Sequence, residues 1–256
     1  MAVGKLRFMS INYFDTATVT ASSEAADYPV EQLQNRWKAV CWRSTGIAAE
    51  WLIADLAGPE EINVFVLENM SFTAGATVEL GGHDTDPTGL AHTDYELVIP
   101  ITAAMVAAKR IVVFIGHETR RWWRLLVTDV AGTYLEAGRM YLGPYFEPTR
   151  SYRTQWKRSP ASESEISYSD AGQASVAERP IYWVYELPIF IVGSADEAEY
   201  AAINAACGTE NPLWICLDST DEITKTVYAH FLEYIAFPSI IGGRLWDTNL
   251  KFREEL

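Results

Sequence analysis

Nine tryptophans, thirteen tyrosines and scattered arginines are the side chains of this 256-residue sequence best suited to recognition. Between Asn35-Arg36-Trp37-Lys38 and Arg43, an aromatic face lies close in sequence to amide and guanidinium donors. That mixture suits a sugar, whose C–H surface stacks on a ring while its hydroxyls take paired donors. Trp37 and Trp122 are open at this level to a place in the core, at a subunit contact or against a ligand. A second group, Asp84 and Asp86 flanked by His83 and Asp94, offers the hard oxygens that calcium collects from one loop. Pro87 and Gly89 in the same stretch also fit a simple solvated turn.

Patterns for catalysis are missing. There is no GxSxG, no HExxH, no Walker loop and no dinucleotide-binding glycine motif. His83, His92, His117 and His230 are dispersed without metal-ligand spacing and read as loop or surface residues. With 34 acidic residues, carboxylate pairs of the kind a glycosidase needs arise by chance. The chain is therefore expected not to be an enzyme, with a glycoside hydrolase kept as the least favoured alternative. Cys41, Cys207 and Cys216 are odd in number and form no CxxC, so they read as small buried thiols. Cys207 and Cys216 would pair only if the fold brought their Cα atoms close.

Net charge narrows the partners. The chain carries −14, divided evenly: 11 basic and 18 acidic residues up to Pro148, then 9 and 16. No segment holds a basic cluster, so no nucleic-acid partner is expected. The N-terminal run Met1–Phe8 has neither the apolar core nor the cleavage site of a signal peptide. The longest apolar runs, such as Ile111–Ile115, are strand-length and far short of a membrane span. Synthesis in the cytoplasm without a secretion signal is the expectation.

Strand-like runs alternate with turn signals from Trp51 to Gly143. Candidates are Trp51–Leu56, Asn63–Glu68, Thr77–Gly81, Tyr95–Ile99, Arg110–Ile115, Trp122–Thr128 and Ala137–Leu142. Gly58-Pro59, Gly81-Gly82 and Ala131-Gly132 punctuate them, and Thr102–Ala108 reads as a short helix. Period-two alternation puts Trp123, Leu125 and Val127 on an inward face. Ser159–Arg179 is too polar for a core and reads as paired edge strands or an extended arm. Order returns with a strand at Tyr182–Pro188. A helix follows over Ala195–Cys207, with Ser194 and Glu197 as a capping box and Gly208 as its stop. Strands at Leu213–Asp218, Val227–Ile235 and Arg244–Leu256 complete the chain.

The order Thr18-Val19-Thr20-Ala21-Ser22-Ser23-Glu24, Tyr28-Pro29-Val30, Cys41-Trp42-Arg43-Ser44-Thr45 and Glu50-Trp51-Leu52-Ile53-Ala54-Asp55-Leu56 resembles the opening of discoidin-like (galactose-binding-like) domains. Arg120-Arg121 with the following strand, and Leu135–Gly143, resemble their closing strands. The resemblance covers roughly residues 10 to 146 and implies a β-sandwich used for binding or attachment. It places a ligand site among loops at one end, which would gather Tyr28, His117, Arg120 and Trp122 with Asn35, Arg36, Trp37 and Arg43. It also assigns Trp42 and Trp51 to the core. A structural calcium is often found in such domains, with Asp84 and Asp86 as the candidates here; no other cofactor is implied.

The second half, from Gly143-Pro144-Tyr145-Phe146-Glu147-Pro148-Thr149-Arg150-Ser151-Tyr152 to Glu254-Glu255-Leu256, resembles small tail or baseplate proteins near the distal tail ring of tailed bacteriophages. That resemblance implies a virion component at the tail tip, docked on other tail or baseplate proteins. It further implies a homo-oligomer in a symmetric ring, with a host-surface glycan as a further partner. A stand-alone carbohydrate-binding protein is the alternative. The expected fold class is mainly β: an N-terminal galactose-binding-like jelly-roll sandwich (1–148), a polar arm (149–180) and a smaller C-terminal α+β domain (181–256).

Overall fold

Two strands of nineteen residues each organise the N-terminal half. In the computed structural model, which describes residues 4–88, 95–152, 156–168, 173–241 and 245–255, the chain forms two units. The first holds Gly4, Ile11–Tyr145 and Asp218–Thr226; the second holds Lys5–Ser10, Phe146–Leu217 and Val227–Leu256. Strand β1 (Arg7–Met9) thus belongs to the second unit.

The first unit is built from β2 (Thr18–Ala21), β3 (Trp42–Arg43), β4 (Glu50–Glu68), β5 (Thr77–His83), β6 (Tyr95–Pro100), β7 (Arg110–Thr128), β8 (Glu136–Ala137) and β9 (Arg139–Gly143). Its main sheet runs β2-β4-β7-β5-β6, with β9 added to β4 and β3 paired with β8 apart. The strands β4 and β7 are antiparallel from Glu50↔Val127 to Glu68↔Arg110. Strand β5 pairs only with the later half of β7, and β9 only with the later half of β4. Between these halves the β4–β7 register shifts twice, at Asp55/Glu60 and Ile62/Val64. Both halves nevertheless fill one core: Leu52, Ala54, Leu125 and Val127 meet Phe65, Leu67, Ile111 and Leu142. One bent ribbon therefore supplies both layers of the sandwich.

Gly58-Pro59 does not end a strand as its composition suggested. It sits in a bulge within continuous β4, next to Ala57 at a left-handed φ of 64°. Trp123, Leu125 and Val127 are buried as alternation required, and Trp42 is buried too. Trp51 is not a core residue. It lies on the face of β4 opposite Leu52 and Ala54 and is half-buried. The short helix forms as α1 (Ala103–Ala108), capped by Thr102, whose Oγ1 accepts from the Met105 amide at 3.2 Å.

The second unit contains β10 (Lys157–Ala161), β11 (Glu165–Tyr168), β12 (Ala174–Ala177), β13 (Tyr182–Val192), α2 (Gly193–Ala206), β14 (Leu213–Cys216), β15 (Thr226–Phe231, beginning at the unit boundary), β16 (Ser239–Ile241) and β17 (Leu245–Glu254). Its sheet runs β1-β14-β15-β17-β13-β10, with β16 on β17. Tyr200 and Ile203 of α2 pack with Leu187, Ile189, Ile191, Leu250 and Phe252, an α+β arrangement. The intervening α3 (Glu222–Lys225) belongs to the first unit, where Ile223 packs against the core. Local pattern cannot reveal that Arg7–Met9 pairs with Cys216–Trp214, because the partner lies some two hundred residues away.

The start of α2 differs from the expected capping box. Gly193 at φ 77° opens the helix and Val192 occupies the cap. Asp196, not Glu197, turns back: its carboxylate accepts from the Val192 amide at 3.4 Å and from the Thr149 hydroxyl at 2.9 Å. The expected stop holds, with Gly208 at φ 53° donating its amide to the Asn204 carbonyl.

The polar arm is a ribbon. Strands β10 and β13 pair from Lys157↔Glu186 to Ala161↔Tyr182, and three residues on β11 and β12 resume the pairing, from Glu165↔Ala177 to Tyr168↔Ala174. Ser162 and Ser164 bridge the gap through the Arg179 backbone. Because β17 pairs with β13 only from Val184 onward, the ribbon continues past the sheet with no third strand among the described residues.

Candidate ligand-binding end of the sandwich

Alternation along the short strand β3 turns Trp42 inward, where its Nε1 donates to the Ser23 carbonyl at 3.2 Å, and turns Arg43 outward. Arg43 lies opposite Glu136 of β8, and its Nε and Nη2 both donate to Glu136 Oε2, at 2.9 and 2.5 Å. The guanidinium is held between two rings, 4.2 Å from the centroids of Tyr28 and Tyr134. Tyr28 arrives there by a tight turn from Ala25, in which Asp27 takes the left-handed conformation. The hydrogen bonds to Glu136 raise the Arg43 pKa. Beside it, burial first and then the Glu136 charge push the Cys41 thiol up, so this thiol is not an activated nucleophile.

The neighbouring loop displays Trp37. Asn35 Oδ1 accepts from the Trp37 amide at 3.0 Å, Val40 donates to the Trp37 carbonyl, and Asn69 Nδ2 holds the Lys38 carbonyl at 3.1 Å. So tethered, Trp37 remains 50% exposed, with the Arg36 guanidinium 4.7 Å from its centroid. Tyr28 and Arg43 thus form one cluster of an aromatic face and a fixed donor, and the Asn35–Trp37 loop, a few residues before Arg43 in the chain, presents a second. Tyr134, 38% exposed, completes the first. Sequence reasoning missed Tyr134. Its one signal was an aromatic residue two positions after the Ala131-Gly132 turn.

The other three candidates lie elsewhere. Trp122 pairs with Asp55, whereas Val127 pairs with Glu50, which binds the Ser22 and Ser23 hydroxyls near Thr45. Five residues of strand put roughly 16 Å between these positions. At the Trp122 end, His117 Nδ1 meets Glu61 at 2.5 Å and Arg120 donates to Asp84 at 2.9 Å. Arg121, 5.1 Å from the Trp122 ring, binds Asp55. The gathering of all eight residues in one site is therefore not what the fold makes. Tyr28, Asn35, Arg36, Trp37 and Arg43 belong to one end, and His117, Arg120 and Trp122 to the other.

Asp84 and Asp86 each have a local partner. Asp84 is engaged by Arg120, and Asp86 Oδ1 accepts the Thr88 amide and hydroxyl at 2.9 and 2.7 Å, which hold its carboxyl below the usual range. His92 and Asp94 lie outside the described residues. Among those described, no group of three or more His, Cys, Asp or Glu is arranged to hold a metal ion. Asp86 Oδ1 caps a local turn. Among the described residues, His117 pairs with Glu61 and His230 with Glu255. The first is open to solvent on both sides, which gives it no sequestered setting for acid–base chemistry. The three cysteines are buried and form no disulfide, and no described helix is long and apolar enough to cross a membrane.

No protein-family model matches the chain, and no curated protein matches it. Solved structures similar to it include carbohydrate-binding modules. A Streptococcus pneumoniae fucose binding module is 10% identical, with a TM-score of 0.42 over 52% of this chain and 95% of that one. A chitosan-binding module from a chitosanase/glucanase of Paenibacillus sp. IK-5 is 16% identical, with a TM-score of 0.42 over 52% and 99%. A Clostridium perfringens module in complex with GalNAc-β-1,3-galactose is 13% identical, with a TM-score of 0.40 over 52% and 100%.

Proposed function

We propose that this chain is a non-enzymatic structural component that docks on neighbouring proteins through its second unit and carries a recognition surface on its sandwich. The observation that carries this reading is the β11–β12 ribbon. A lone two-stranded ribbon is marginal in water, and one projecting past its sheet gains stability when a partner covers it. From Ser162 to Tyr168 it extends roughly 20 Å. The second unit also exposes Ile181, Leu232 and Tyr234, apolar side chains in keeping with docking. The setting in a bacteriophage tail tip, with other tail or baseplate proteins as partners and synthesis in the host cytoplasm, rests on the sequence resemblance of the second half.

Solution mass by light scattering tests the reading. The comparison is between the full chain and a form in which Ser162–Arg179 is replaced by a two-residue turn. This deletion is preferable to a cut after Pro148, which would remove Asp218–Thr226 from the first unit. A multimer that falls to monomer without the ribbon supports assembly. A full chain that stays monomeric and leaves the ribbon digestible by protease in the presence of phage tail proteins overturns it.

The second reading, a stand-alone carbohydrate-binding protein, is favoured by Arg43 between Tyr28 and Tyr134 and by the exposed Trp37. It predicts a monomer whose tryptophan emission changes with a glycan. Trp37→Ala and Tyr134→Ala would each abolish the change.

A further inference from the structure

Arg139 of β9 is 4% exposed and ringed by oxygen. Its Nη1 donates to Asp15 Oδ1 and to the Gln34 carbonyl, both at 2.6 Å, and to the Leu33 carbonyl at 3.4 Å. Its Nη2 donates to Asp15 Oδ2 at 2.7 Å. The carboxylate comes from the turn Tyr13–Thr16 and the carbonyls from the turn Val30–Gln34. Side-chain amides fasten both turns as well. Asn12 Nδ2 donates to Asp15 Oδ1 at 2.7 Å and to the Met140 carbonyl at 2.9 Å. Gln34 Nε2 donates to the Phe14 and Ala17 carbonyls at 2.7 and 2.8 Å. The four oxygens are thus held in place by bonds that do not involve the guanidinium.

A carboxylate engaged through both oxygens, together with carbonyls presented by turns, is a donor set for a hard cation. Calcium takes about six to eight oxygens and accepts water for those the protein does not supply. The Asp15 side chain is 37% exposed, so water reaches this side of the cage. A cation already stands there. The guanidinium keeps its positive charge at every working pH, and its planar fork matches the edge of a carboxylate. Its hold also reaches the ligand-binding end. The Gln34 carbonyl lies directly before Asn35, whose Oδ1 accepts from the Trp37 amide, so Arg139 grips the base of the loop that displays Trp37.

We propose that Arg139 is a tethered cation standing where its oxygen cage would otherwise take calcium, so that the cage needs no metal and a latent calcium site lies beneath the guanidinium. Covalent attachment makes this cation independent of the calcium concentration outside and indifferent to chelators. Removing the side chain leaves a carboxylate and two carbonyls facing one another without a positive charge, a costly arrangement for partly buried groups. A divalent oxygen-seeking ion is the ligand that relieves it.

Thermal unfolding of three full-length proteins tests this: the natural chain, Arg139→Ala and Arg139→Gln, each in EDTA, in magnesium and in calcium. Circular dichroism shows whether each is folded. The natural chain should melt at the same temperature in all three. Each variant should melt lower in EDTA, and calcium at roughly a hundred times its dissociation constant should raise the midpoint by about 5–10 °C. Magnesium, which demands a stricter octahedron and dehydrates reluctantly, should do much less. Adding Asp15→Asn to either variant should abolish the response. Variants that fold only when calcium is present support the proposal equally. Variants indifferent to calcium, folded or unfolded throughout, overturn the latent site. So does a calcium response that survives Asp15→Asn, which would put the ion elsewhere. A natural chain stabilised by calcium as much as its variants overturns the assignment of Arg139 as the resident cation.

Discussion

Arg121 and Asp55 meet edge to edge: Nε and Nη2 each donate at 2.7 Å to a different carboxylate oxygen. The pair spans β4 and β7 beside the first register shift, so it ties the ribbon where its ladder is interrupted. Hydrogen bonds from Arg121, with a smaller contribution from the Ala57 amide, hold the Asp55 carboxyl below its ordinary range. A carboxylate whose folded pKa is lowered gives stability that is present above its unfolded pKa and lost as pH falls through the folded value. Stability is therefore expected to decline below about pH 4, and Asp55→Asn to flatten part of that decline. Urea midpoints measured across the acid range check this; parallel curves for the two proteins would show that the pair is energetically silent.

The same bulge holds a strained residue. Ala57 has φ 64°, a region where a Cβ collides with its own backbone. Ala57→Gly removes the collision but gives the unfolded chain more freedom. The net expectation is a gain of about 0.5 kcal/mol, small because the two effects oppose. Denaturant unfolding reads it directly, and a loss of stability would mean that the alanine methyl group makes a packing contact worth more than the strain.

Two buried tryptophans differ in one hydrogen bond. Trp42 Nε1 donates to Ser23, while Trp123 Nε1 meets no acceptor among the described residues. Trp42→Phe strands a carbonyl as well as losing volume; Trp123→Phe loses volume but relieves an unpaired N–H. The first is expected to cost about 1 kcal/mol more than the second. Equal losses in thermal or chemical unfolding would show that the Ser23 bond contributes nothing net.

What the sequence disclosed follows from the range of the forces involved. Alternation is local, so the inward set Trp123, Leu125 and Val127 was readable, as were the short helix after Ile101 and the stop at Gly208. Gly58-Pro59 misled because the dipeptide fits a bulge as well as a turn, and only the pairing with β7 distinguishes them. Trp51 misled because a bulky aromatic residue in a strand can face either way, and the register of Leu52 decided it. Site residues were legible by type but not by place. Arg43 and Trp37 stood out, yet Trp122 falls at the far end, and Tyr134 joins Arg43 across ninety-one positions of chain.

Gly138 connects packing to that surface. A Cβ there would stand 1.9 Å from the Lys38 carbonyl oxygen and 2.9 Å from its carbon, both backbone atoms that cannot swing aside. The Gly138 amide is meanwhile held by the Glu68 carbonyl at 2.9 Å, so the strand cannot retreat either. The loop must therefore yield, breaking the bond from Asn69 to Lys38 and releasing Trp37. Gly138→Ala is expected to cost about 1–3 kcal/mol, the usual range for overpacking. It should also make tryptophan emission more accessible to iodide. Gly58→Ala is the control, since its Cβ would meet nothing within 4 Å and stability should hardly change. If Gly138→Ala matched that control in both measurements, the close approach of Lys38 to the strand would be wrong, and the fixed placement of Trp37 would fall with it.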